Sequence, residues 1–284
     1  MKNALLFLFF SFTIFGFTKT AFCQSDSIGE NFNSPKGKFY LYWGYNRTWY
    51  RNSTFHVKGP EYDLTFYNLK ATDRPTPFSV DYINPVTMWV PQYNYRLGYF
   101  ITDRISASFG VDHMKYVVTK YQTTTMSGVI TEAASVKYAG SYLNDTVELT
   151  PDLLLLEHTN GFNLVSGEFE YLLPITRMFN DKVALKWNFG LGGIWMITKT
   201  DVKVLDYGLD NDFHLSGYTI ALKTGPRIDF WDRFFVAAEI KNGFASLPNI
   251  LIHNDQSDIG DQNITYYEFY VVGGYYFSLF GKRE

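Results

Sequence analysis

The stretch Gln92-Tyr93-Asn94-Tyr95-Arg96-Leu97-Gly98-Tyr99-Phe100-Ile101 decides how the rest of the chain is read. In an extended strand, successive Cβ atoms point to opposite faces. Tyr93, Tyr95, Leu97, Tyr99 and Ile101 therefore share one side, and Gln92, Asn94, Arg96 and Gly98 share the other. One face is bulky and apolar; the other is small and polar.

The pattern recurs along the chain. From Val183 to Ile197 the apolar set is Val183, Leu185, Trp187, Phe189, Leu191, Gly193, Trp195 and Ile197, against Lys186, Asn188, Gly190 and Gly192. From Tyr218 to Phe230, Tyr218, Ile220, Leu222 and Ile228 oppose Lys223, Gly225, Arg227 and Asp229. The same rule fits 38–50, 105–118, 164–175, 234–244 and 266–280, for eight segments in all. Three connections are short (102–104, 176–182 and 231–233) and four are long (51–91, 119–163, 199–215 and 245–265). Short and long alternate, as in barrels that cross an outer membrane with short periplasmic turns and long extracellular loops. An even strand count leaves both chain ends on the periplasmic side.

A water-soluble β-sandwich also alternates, but it turns its apolar face inward. Here the polar set is Gly, Asn, Ser and charged residues, which suit a cramped lumen, and the aromatic set suits lipid. The expected fold is all-β: an eight-stranded antiparallel up-and-down transmembrane β-barrel over 38–284, with long extracellular loops. Eight strands leave a lumen that side chains fill. The alternation sends Arg96, Lys186, Lys223, Arg227 and Lys241 inward with Asp112, Glu168, Glu170, Asp229, Glu239 and Glu268. Unpaired ions there would each cost several kcal/mol, so this nearly balanced set is expected to form a salt-bridged plug.

Composition agrees and narrows the function. The 284 residues carry 25 Lys+Arg against 28 Asp+Glu, a net charge of −3, and lack the basic face that a nucleic-acid partner requires. A hydrophobic share of 46 % excludes a disordered chain. One cysteine excludes a disulfide framework, a thiolate zinc site and an iron–sulfur cluster. No motif calls for a cofactor, because Gly190 to Gly193 opens no helix.

Residues 1–23 read as a cleaved signal peptide: Lys2, the apolar run Ala4 to Phe17, then Ala21-Phe22-Cys23. The run is shorter than the roughly 20 residues of a membrane helix. Lipidation of Cys23 is the rival reading, and bulky Phe22 before it argues against that. Residues 24–37 form a periplasmic N-terminal segment. The last strand closes on Tyr275-Tyr276-Phe277-Ser278-Leu279-Phe280. This aromatic end resembles the signal read by barrel-assembly machinery, an expected partner during biogenesis.

On these residues the chain resembles the small eight-stranded outer-membrane barrels (OmpA-like and OmpW-like proteins, lipid A deacylases of the PagL type). The resemblance implies the cell outer membrane as location, with lipid and lipopolysaccharide as surroundings. Residues able to carry chemistry gather toward the long-loop end: Asp112 and His113 in the third strand, Glu157 and His158 before the fourth, and Lys70 and Arg74 in the first loop. Two readings of the first four are chemical. A His with a carboxylate can activate a hydroxyl such as Thr159 or Ser166 against a lipid ester, and His/carboxylate sets suit zinc-like metals. The deacylases place Ser two residues after the His, where this chain has Asn160. The blander reading is a non-enzymatic barrel whose rim residues hold loops and meet head groups, with Lys115 snorkelling and Arg74 fixing the first loop.

Overall fold

The computed structural model describes residues 34–210, 212–253 and 257–279. The expected leader, most of the N-terminal segment and Phe280 with the tail behind it lie outside the described residues.

In chain order the strands are β1 (Phe39–Tyr50), β2 (Ser53–Gly59), β3 (Tyr62–Leu69), β4 (Ala71–Thr72), β5 (Tyr93–Phe100), β6 (Ile105–Val118) and β7 (Thr123–Ile130). They continue with β8 (Gly140–Glu148), β9 (Leu154–Met178), β10 (Val183–Val204), β11 (Tyr207–Asp210), β12 (His214–Phe230), β13 (Phe234–Leu251) and β14 (Ile259–Phe277). Eight of them, β1-β5-β6-β9-β10-β12-β13-β14, pair antiparallel in sequence, and β14 returns to β1 from Phe39↔Phe277 to Tyr50↔Tyr266. The ring has no free edge. It is the expected eight-stranded up-and-down barrel, and its three tight turns fall at 101–104, 179–182 and 231–233.

The long connections differ from expectation. They are largely strand, not irregular loop. β9, β10 and β13 run on past the expected ends, and β2, β3, β7 and β8 add a sheet that grows from β14 through Lys58↔Ile259, Tyr62↔Gly59 and Tyr62↔Ile130. The reason is a change of surroundings partway up the wall. On β10 the outward side chains are Trp187, Phe189, Leu191, Trp195 and Ile197, then Lys199, Asp201 and Lys203; the inward ones go from Lys186 and Asn188 to Val202 and Val204. β14 inverts in the same way: outward Tyr275, Val271, Phe269 and Tyr267 give way to Asn263 and Asp261, while Ile264 turns inward. Lipid outside selects apolar-out; water outside selects apolar-in. Period two persists, but its polarity flips, so a search for apolar-out alternation stops at the boundary.

The interior is accordingly layered. At the turn end Tyr40, Tyr42, Phe100, Phe235, Tyr270 and Tyr276 pack together, with the Arg227 guanidinium 3.4 Å from the centre of the Phe235 ring. The ionic residues centred on Glu168 occupy the middle, while Lys186, Arg227 and Asp229 lie level with these lower rings. At the loop end a second apolar core, including Phe55, Phe66, Met114, Phe162, Met196, Leu247 and Ile250, fills the extension. Gly98 makes room for one of the lower rings: a Cβ there would lie 2.1 Å from an atom of the Tyr40 ring.

Candidate functional site

The β6–β9 register sets the four rim candidates at two heights and on two faces. Asp112 and His113 stand opposite Leu164 and Asn163, whereas Tyr116 and Val117 stand opposite His158 and Glu157. Neighbours in a strand point to opposite sides, so Asp112 and His158 look inward and His113 and Glu157 outward.

Each has its own partners. Asp112 accepts from Asn94 Nδ2 at 2.9 Å and from Lys241 Nζ. His113 Nδ1 lies 2.7 Å from Asn163 Oδ1, and its ring stacks on Tyr93 on the outer wall. Glu157 takes both nitrogens of Arg74, at 2.7 and 2.8 Å, with Lys120 3.6 Å away. Burial alone would raise the Glu157 carboxyl, but Arg74 outweighs it and holds the group below its usual range. His158 is fully buried between the rings of Tyr116 and Phe162, with Nδ1 2.8 Å from Thr200 Oγ1. Burial pushes its pKa down to about 4, so the imidazole is neutral at pH 7.

The four side chains are therefore not brought together. His113 and His158 look to opposite faces of the wall, and neither Glu157 nor Asp112 partners His158. Ser166, the other candidate hydroxyl, accepts from Arg96 Nη2 at 2.8 Å inside the barrel. Among the described residues, no group of three or more His, Cys, Asp or Glu is arranged to hold a metal ion. Arg74 fixes the first loop, as read from the sequence. Lys115 does not reach for head groups; its Nζ lies 3.0 Å from Thr76 Oγ1 and 3.4 Å from the Val90 carbonyl.

The concentrated chemistry lies in the lumen. All five expected cations and six expected anions are buried there. Glu168 meets Arg96 at 2.7 Å, Lys223 at 2.8 Å and Lys241 at 2.8 Å, and Lys223 also lies 3.3 Å from Glu170 and 3.5 Å from Glu239. Lower down, Arg227 and Lys186 share Asp229. Asn188 Nδ2 donates to Glu170 and Glu239 at 3.0 and 2.7 Å, and Asn94 donates to Glu268 at 2.7 Å.

One cluster was not anticipated. On the outer face of the extension, His56 Nδ1 lies 2.7 Å from Asp261 and Nε2 lies 2.8 Å from Asp63. Burial works against its charge, but the two carboxylates outweigh it and raise the imidazole above its ordinary value. His56 and Asp261 are 205 positions apart, so only the β2–β14 pairing could reveal the contact.

No protein-family model matches the chain. No curated protein matches it either. Solved structures similar to it include outer membrane protein AlkL, at 9 % identity over 90 % of this chain and 97 % of that one, with a TM-score of 0.39. Another is OprG of Pseudomonas aeruginosa, at 9 % identity over 86 % and 97 %, TM-score 0.38. Neisserial surface protein A aligns at 8 % identity over 84 % and 97 %, TM-score 0.36. In strand count, closure and inside-out polarity, the chain has the architecture of the small outer-membrane β-barrels.

Proposed function

We propose that this chain is an integral outer-membrane protein, exported by a cleaved leader, whose sealed barrel anchors a β-structured extension at the cell surface. The observation that carries the reading is the inversion on β10, from outward Trp195 and Ile197 to outward Lys199, Asp201 and Lys203. One strand thus records where lipid ends and water begins. The plug follows from the layers: aromatic rings with the Lys186–Asp229–Arg227 group at the turn end, paired ions around Glu168 in the middle and a largely apolar upper core fill the lumen with side chains. With His158 enclosed and Glu157 committed to Arg74, the extension works as a rigid display surface and not as a hydrolase.

Electrical recording tests the plug. Purified protein inserted into a planar bilayer in molar KCl is expected to give no steady channel events. Steady ohmic conductance from the unmodified protein would overturn the sealed-anchor reading.

A further inference from the structure

The stretch between β4 and β5, Thr76-Pro77-Phe78-Ser79-Val80-Asp81-Tyr82-Ile83-Asn84-Pro85-Val86-Thr87-Met88-Trp89-Val90-Pro91, holds a single charged residue in sixteen. It folds as successive turns around a short 3-10 segment, Val80–Tyr82. Phe78, Val80, Ile83 and Val86 are each at least 69 % exposed, and Trp89 and Val90 are about half exposed. In water this is a poor surface. Scattered apolar residues are ordinary, but six large ones exposed within the thirteen residues 78–90 call for a contact.

Its place on the barrel identifies the contact. The segment is held by the outer wall: Tyr45 Oη donates to the Tyr82 carbonyl at 2.5 Å, and the two rings meet at 4.7 Å. Lys115, also outward, grips both ends at Thr76 and Val90. Tyr45 stands opposite Val271, four residues below the outward pair Trp49 and Tyr267. At strand rise and barrel tilt that is roughly 10 Å below the upper aromatic level. The tether point therefore lies inside the outward apolar band.

The backbone is suited to that place. The amides of Tyr82, Ile83, Asn84, Thr87, Met88 and Val90 donate to carbonyls within the segment, while Asp81 and Val86 donate to the side chains of Ser79 and Asn84. Eight of the thirteen amide donors in 76–91 are thereby satisfied within the segment, which lowers the cost of irregular backbone beside lipid, where bare amides are expensive. Beside it, a groove of about 410 Å³ runs from Trp89 past Tyr93, Val111 and Val165 to Ile197 and Phe213, with the His113–Asn163 pair on its wall.

We propose that residues 76–91 bind the outer leaflet: they form a side paddle whose apolar face lies among lipid acyl chains and whose edge walls a groove for one of them. The inference rests on the membrane-barrel reading, and the test separates the two. Three full-length variants, each with Cys23→Ser, carry a nitroxide label at Ile83→Cys, Phe169→Cys or Leu143→Cys in phosphatidylcholine/phosphatidylglycerol vesicles. Phe169 marks the outer barrel wall, and Leu143 marks exposed β8 in the extension. The label at 83 is expected to behave like that at 169, colliding with oxygen and shielded from a water-soluble nickel chelate, while 143 collides with nickel. Nickel access at 83 with shielding at 169 overturns the paddle and spares the barrel. Nickel access at 169 overturns both. Shielding at 83 from both reagents, with spin–spin broadening that disappears on dilution with unlabelled protein, makes a second copy the occupant and also overturns the proposal.

Discussion

Arg96 on β5 and Glu168 on β9 meet at 2.7 Å across the intervening strand β6, both closed off from solvent. Glu168 is at once the partner of Lys223 and Lys241, so a single carboxylate holds three cations. Removing one partner of a buried pair is far more damaging than removing both. Glu168→Ala is expected to destabilise the barrel by about 3–5 kcal/mol, read as a lower temperature of heat modification on electrophoresis. Arg96→Met with Glu168→Leu is expected to lose less than the sum of the single changes. Additive losses would show that the two residues do not act as a unit.

The Gly98–Tyr40 contact gives a steric counterpart. Because an added methyl would fall within the ring, Gly98→Ala is expected to cost about 1–3 kcal/mol, the usual range for overpacking. In a Tyr40→Leu background the same change should cost less, as measured by urea unfolding in detergent. An equal cost in both backgrounds would mean that Tyr40 is not what Gly98 accommodates.

The His56 clamp responds to pH from two sides. Its imidazole is raised above 6.5, so its contribution is complete below that value and is lost as pH climbs through the folded pKa. Asp63 is lowered below 3.8, chiefly by its bond to His56; its contribution is complete above 3.8 and is lost as pH falls through its folded pKa. The β2–β3 hairpin should therefore be best protected from amide exchange between about pH 4 and 6.5. His56→Gln should flatten that dependence. A profile unchanged by the substitution would contradict the clamp.

The wall of this barrel was legible in the sequence because lipid and lumen select opposite residue types at every step. The alternation of Tyr93 to Ile101 alone assigns inside and outside, and the buried Arg96, Lys223 and Lys241 lie where that parity sends them. The extension was harder to read because water replaces lipid: Lys199, Asp201 and Lys203 alternate as regularly as Trp195 and Ile197, with the sign reversed. The rim candidates misled for another reason. Asp112-His113 and Glu157-His158 look like paired chemistry as dipeptides, yet adjacency in a strand guarantees opposite faces. Their true partners, Lys241, Asn163, Arg74 and Thr200, come from pairings and loop returns that no local pattern encodes.

One parity of each barrel strand faces lipid and the other the closed interior. Photolabelling with a carbene-generating phospholipid in vesicles, followed by mass spectrometry of β9 peptides, tests it directly. Adducts are expected on Phe169, Tyr171 and Leu173 and absent from Glu168, Glu170 and Leu172. Adducts on both sets, or none on the first, would contradict it.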